Sequence, residues 1–210
     1  MSDDHGDDHA RAENTRRVGL LTSLLEERGI LSERELDDLV EAFFARTGPG
    51  QGARIVARAW TDQGFRARLL EDANAAVREL GLDMASGTAP HLRLRVVENT
   101  PEVHNVVVCT LCSCYPVAIL GPPPTWYKSE SYRSRVVRDP RGMLEEFGVQ
   151  LDPGARIRVW DSSAETRYLV IPIRPECTEQ LDEEELAALV SRNALIGTSL
   201  ADTGAAASPP

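Results

Sequence analysis

Residues 97–116 read VENTPEVHNVVVCTLCSCYP. Within them HNVVVC, at 104–109, is a short β-branched run and reads as a strand. The strand ends in three cysteines, Cys109, Cys112 and Cys114, spaced C-x-x-C-x-C ahead of a proline-rich loop. Only one other cysteine, Cys177, occurs in the chain. In a reducing compartment such a cluster suggests metal binding or redox chemistry more than a disulfide framework. Spacing alone leaves several readings open. A structural zinc site would need a fourth ligand from Cys177 or His104. An iron–sulfur cluster would have to use Cys177. A reversible Cys109–Cys112 disulfide leaves Cys114 without a role. The segment Cys112-Ser113-Cys114 offers a further arrangement. Its two thiolates flank the backbone nitrogens of Ser113 and Cys114, and if those amides lose their protons the donors form a square of fused chelate rings. Cys109 would then cap one axial position and leave the opposite one open, as a catalytic metal requires. A small trivalent ion favours that set, and soft thiolates suit cobalt or iron better than magnesium or calcium.

Working outward, LRLRVVEN at 92–99 alternates as a strand does. ARIRVWDS at 155–162 and TRYLVIPI at 166–173 also read as strands, paired as a hairpin. VAILGPPPTWY at 117–127 holds three consecutive prolines, which predicts neither regular helix nor central strand. SESYRSRVVRDP at 129–140 reads as a short helix, with Pro140 either ending it or opening the next, RGMLEEFG. LDEEELAALVSRN at 181–193 reads as a helix with acidic residues in its first turn, where the dipole favours them.

Upstream the pattern is helical. Leu20, Leu21, Leu24 and Leu25 form one apolar stripe, and Gly29 ends that helix. Ser32 with Glu35 has the signature of a capping box. The next stripe is Leu36, Leu39, Val40, Phe43 and Phe44. After a GPGQG break at 48–52 comes a helical stretch to Gly81, with Ile55, Val56, Ala59 and Trp60 on one face. Residues 83–90 read as a linker. These readings predict an α+β protein: a disordered acidic tail over 1–13, a helical N-terminal arm over 14–90, a metal-binding catalytic domain over 91–200 and a disordered tail over 201–210. His5 and His9 belong to the first tail.

The 210 residues are 42% hydrophobic, enough for one sizeable core, and carry a formal net charge of -10. Four aspartates fall in the first ten residues. A nucleic acid would need a basic face, so no nucleic-acid partner is expected. No apolar run approaches the roughly 18 residues of a membrane helix, so no membrane role is expected. No signal-like start is visible, and a cytoplasmic location follows as the default.

CTLCSC resembles the metal claw of nitrile hydratase alpha subunits. The likeness extends to GARIVARAWTD, VENTPEVHNVVVCTLCSCYP, PPTWYKSESYRSRVVRDPRG, EEFG, IRVWDSSAETRYLV and ALIG, roughly residues 15–200. The resemblance implies a layered α/β/β/α catalytic domain. It implies Cys109, Cys112 and Cys114 as thiolate ligands, with the backbone nitrogens of Ser113 and Cys114 completing the set. It further implies Cys112 oxidised to sulfinate and Cys114 to sulfenate. Thr110, after the first cysteine, implies Co(III), with Fe(III) as the alternative. Other implied participants are a beta subunit of one or two chains that the arm embraces, a cobalt-delivering activator protein and a small-molecule nitrile. Cys114 would supply or activate the oxygen that attacks the nitrile carbon, with Cys112 beside it. Ser113 would either hydrogen-bond near the metal or serve as a small turn residue. Val117 stands where such chains commonly carry Trp, which implies room for a bulky aromatic or heterocyclic nitrile. The same claw occurs in the metal-bearing subunit of thiocyanate hydrolase, whose CSCYPR context has an arginine that this chain lacks. A non-catalytic metal-binding module is the remaining alternative. Arg167 and Tyr168 read as packing residues, Arg133, Arg135, Arg138 and Arg141 as an interface and ion-pair face, and Cys177 as a bystander.

Overall fold

The computed structural model describes residues 4–84, 91–112 and 114–203. The chain divides into two compact units, residues 1–46 and 47–210. The first contains two helices, α1 (Asp4–Glu27) and α2 (Glu33–Arg46). Gly29, at φ 62, closes α1: Ile30 N donates to Leu25 O and Gly29 N to Glu26 O. The predicted capping box opens α2, with Ser32 N on the Glu35 carboxylate at 2.8 Å and Glu35 N on Ser32 Oγ at 3.2 Å. The helix begins at Asp4, so residues 4–13, expected as a disordered tail, have helical backbone; residues 1–3 lie outside the described residues.

The second unit starts with α3 (Pro49–Thr61), α4 (Gln63–Glu71) and α5 (Ala73–Glu79). The single helical stretch expected here is broken twice by aspartates. Asp62 and Asp72 accept from the backbone N–H of Phe65 and Ala75, and so cap α4 and α5. These three helices carry core residues; Ile55, Val56, Leu69 and Val77 are completely buried. They therefore belong with the second compact unit. The first unit ends at residue 46, inside the helical arm expected over 14–90. Linker residues 85–90 lie outside the described residues.

The strands are β1 (Arg93–Glu98), β2 (Val103–Val108), β3 (Arg156–Asp161) and β4 (Thr166–Ile171). All four expected strands form, but the hairpin does not. β4 pairs in parallel with β1, and β3 pairs in parallel with β2. Apolar patterning marks a strand without choosing its partner, and here the two earlier strands take up the hydrogen-bonding edges of the later two. Helices α3–α5 pack on the β1/β4 pair, and β2 touches β1 and β4. Helix α6 (Val117–Leu120) is one turn completed before Gly121 and the prolines, a helix that the proline run had argued against. A 3-10 turn at Thr125–Lys128 precedes α7 (Glu130–Arg138) and α8 (Pro140–Glu146), which starts with Pro140 in its first turn. Contacts of α8 with β3 complete an α/β/β/α order. Helix α9 (Glu183–Ala188) packs on α3 and opens with a capping box between Asp182 and Glu185.

The start of β2 is pinned by a buried polar network. His104 Nδ1 meets Asn99 Nδ2, and His104 Nε2 donates to Gly197 O at 2.8 Å. Asn99 Oδ1 accepts from Asn105 N and Nδ2, and Trp160 Nε1 donates to Asn105 Oδ1. Gly197, at φ 79, lies so close to β2 that a Cβ there would stand 1.8 Å from Asn105 O. Of the expected C-terminal tail, Ala201 is buried and Asp202 N donates to Leu189 O; residues 204–210 lie outside the described residues.

Candidate metal centre

β2 is buried along its length and ends by delivering Cys109 at 1% exposure, beneath the exposed Cys112 and the half-buried Cys114. The three sulfur atoms lie within 4.8 Å of one another. Cys109 Sγ is 3.3 Å from Cys112 Sγ, and Cys112 Sγ is 3.1 Å from Cys114 Sγ. The backbone N–H of Cys112 points at Cys109 Sγ at 3.3 Å. Ser113 lies outside the described residues.

These donors fit a metal. A metal–sulfur bond of about 2.3 Å places two sulfurs about 3.3 Å apart when they subtend a right angle, and about 3.8 Å apart at a tetrahedral angle. The Cys109–Cys112 and Cys112–Cys114 spacings are close to the right-angle value, as an octahedral-type ion would accept. Among the described residues the cluster has no fourth sulfur, because Cys177 is exposed and outside it. His104 is occupied by Asn99 and Gly197. The four-ligand zinc and iron–sulfur readings therefore lose their fourth ligand. Burial pushes the Cys114 thiol up to about 12, reinforced by its hydrogen bond to the Cys112 sulfur and opposed by the nearby Arg167.

The loop is held from every side by residues that sequence reading placed elsewhere. Asp161 accepts from both Thr110 N and Thr110 Oγ1. Tyr127 OH donates to Cys114 O at 3.1 Å, and Tyr132 OH donates to Val107 O at 2.6 Å. Arg167 Nε donates to Tyr115 O at 3.2 Å, which makes it a neighbour of the site as well as a packing residue. Arg133 reaches Thr110 O at 3.4 Å, while Arg135 pairs with Glu146 and Arg141 donates to Ala155 O. Thr110, Arg133, Val137 and Arg138 line an open hollow of about 640 Å³ beside the cysteine loop. A hollow of about 710 Å³ runs along β1, with Trp160 and Tyr168 in its wall and no cysteine. Val117 begins α6, partly buried against the core. The signal for Tyr127 and Tyr132 was present in TWYKSESY, but only the fold turns their hydroxyls toward β2 and the loop.

The model for the family "Nitrile hydratase, alpha chain" matches residues 12–199. The low-molecular weight cobalt-containing nitrile hydratase subunit alpha of Rhodococcus rhodochrous is 51% identical over 187 residues, covering 89% of this chain and 88% of its own. Thiocyanate hydrolase subunit gamma of Thiobacillus thioparus is 44% identical over 164 residues, 75% of this chain and 68% of its own. Among solved structures, a double mutant of the Fe-type nitrile hydratase from Comamonas testosteroni Ni1 superposes with a TM-score of 0.83 at 42% identity, covering 95% of both chains.

Proposed function

The chain belongs to the nitrile hydratase alpha-chain family, and from that premise we propose that it is the metal-binding subunit of an enzyme that adds water to a nitrile to give the amide. The observation that carries this reading is the triad of sulfurs gathered within 4.8 Å at the buried end of β2. Cobalt is the metal, by likeness to the cobalt-containing relative and by Thr110, and we assign it as Co(III). An iron centre is the alternative that the Fe-type neighbour supports. Bound there, the ion supplies a Lewis acid that polarises the nitrile triple bond.

The chain's own residues do the rest. Cys109, Cys112 and Cys114 would hold the ion, with the backbone nitrogens of Ser113 and Cys114 completing the set. Cys112 would carry a sulfinate and Cys114 a sulfenate whose oxygen would either attack the nitrile carbon, the S–O bond then breaking and water restoring the sulfenate as the amide leaves, or take a proton from the water that attacks and pass it to the nitrile nitrogen. Asp161, Tyr127, Tyr132 and Arg167 fix the loop, so that the groups need little reorganisation during the reaction. A beta subunit completes the site, and a cobalt-delivering activator loads it. The arm, residues 14–46, reaches the beta subunit. We place the complex in the cytoplasm, where a cluster of cysteines serves metal binding more readily than a disulfide framework; no helix among the described residues is long and apolar enough to cross a membrane. Val117 leaves room for a bulky aromatic or heterocyclic nitrile.

Co-expression with the beta partner, followed by metal analysis and a nitrile screen, tests the proposal. About one cobalt per chain with amide formation is expected. Iron would overturn the cobalt assignment. Zinc or no metal, with no amide formed, would overturn the reading itself, and release of carbonyl sulfide and ammonia from thiocyanate would move the chain to the hydrolase. A preference for acrylonitrile over benzonitrile and cyanopyridine would overturn the role given to Val117.

A further inference from the structure

The parallel register of β2 and β3 continues one step past the strands. Val108 pairs with Asp161, and Ser162 N then donates to Val108 O at 2.7 Å, which sets Ser162 opposite Cys109. Facing residues of a parallel pair project their side chains to the same side. Both side chains are buried, Cys109 at 1% and Ser162 at 3% exposure. Tyr127 closes the group from a third element. Its hydroxyl donates to Cys114 O at 3.1 Å and lies within reach of the Ser162 hydroxyl. Among the described residues no hydrogen bond of good geometry holds Ser162 Oγ, although the Tyr127 hydroxyl is near it. A buried hydroxyl without such a bond needs an explanation, and an acceptor that strengthens in another state of the protein is one.

We propose that Ser162 is a positioning residue whose hydroxyl donates to the Cys109 thiolate in the metal-loaded enzyme. Cys109 Sγ already faces one N–H, from Cys112, and a thiolate accepts more strongly than the thiol. A second donor draws electron density from the sulfur. It thereby weakens the electron donation of the buried ligand and raises the Lewis acidity of the ion it holds. Asp161, one residue earlier, anchors Thr110, so adjacent residues of one strand end fix the loop's backbone and tune its buried sulfur. The inference rests on the reading of Cys109 as a ligand.

The test uses the cobalt-loaded complex with its beta partner, and compares Ser162, Ser162→Ala and Ser162→Thr. The readouts are cobalt content, the sulfur-to-cobalt charge-transfer absorption and nitrile turnover. In Ser162→Ala the band moves to longer wavelength and kcat falls about tenfold or more while KM stays near its original value. Ser162→Thr, which keeps the hydroxyl, returns the band toward its original position. An unmoved band in cobalt-loaded Ser162→Ala overturns the inference, and so does a Thr variant shifted as far as Ala, since packing alone would then be at work. Loss of cobalt in Ala but not in Thr supports it, and loss in both overturns it. If the unsubstituted complex binds no cobalt, the ligand reading itself has failed.

Discussion

Two parts of this chain carry the same kind of apolar stripe and treat it in opposite ways. On α3, Ile55 and Val56 are completely buried, and Phe65 and Leu69 continue that burial on α4. On α1 and α2, Leu20 is 66% exposed, Leu21 59% and Leu39 59%. Spacing is helical in both, so periodicity established the helices but not their fates. A stripe is buried only where a matching surface is supplied, and strands β1 and β4 supply it to α3–α5. The arm's stripe remains available to a partner chain, which agrees with the heteromeric enzyme proposed above. The comparison also separates sources of stability: burying an Ile or Leu side chain contributes about 1.5–3 kcal/mol, and the exposed Leu20, Leu21 and Leu39 receive little of it.

The largest effect expected in the body comes from Gly197→Ala. The added methyl would drive into Asn105 O at a positive φ, and neither backbone can yield cheaply. Loss of more than about 4 kcal/mol of unfolding free energy, or failure to purify soluble chain, is expected. Ile55→Ala should cost about 2–5 kcal/mol in urea unfolding. A cost near that of Leu20→Ser would erase the contrast between body and arm. Acid acts on the body next. Burial lowers the His104 pKa from its ordinary 6.5, opposed by its bond to Gly197. The neutral ring therefore contributes stability that is fully present above about pH 6.5 and is lost as pH falls toward the lower folded value. Unfolding midpoints measured from pH 8 to 5 should show this loss, and His104→Gln should flatten it. In the arm, Ser32→Ala removes one half of a capping box and should cost about 1 kcal/mol or less of α2 helicity, read by circular dichroism. Leu20→Ser is the smallest: a change within about 0.5 kcal/mol in the isolated chain, with a measurable loss of affinity for the beta subunit. A destabilised isolated chain would show that the arm is covered by its own protein.

The cysteine site was legible because its ligands are local. Cys109, Cys112 and Cys114 fall within six residues, and one turn after a buried strand can bring their sulfurs together. The residues that hold that turn were not legible as a group. Asp161 lies 51 positions from Thr110, and Tyr127 lies 13 from Cys114. Arg167 looked like a packing residue until its Nε was found on Tyr115 O. The 155–173 hairpin failed for a related reason. Helical and strand periods report which face is apolar, and say nothing of which surface or which edge will meet it.

By itself, then, the sequence determined the cysteine cluster, the helix and strand types, the capping box at Ser32 and the family. Each depends on neighbours within a few residues or on the likeness of the whole chain. Only the tertiary structure decided the parallel pairing of β3 with β2 and β4 with β1, the end of the first unit at residue 46, and the placing of Ser162 opposite Cys109. Those depend on contacts distant in sequence. Many pairings bury the same apolar area, and the one adopted is chosen by satisfying all the buried hydrogen bonds at once.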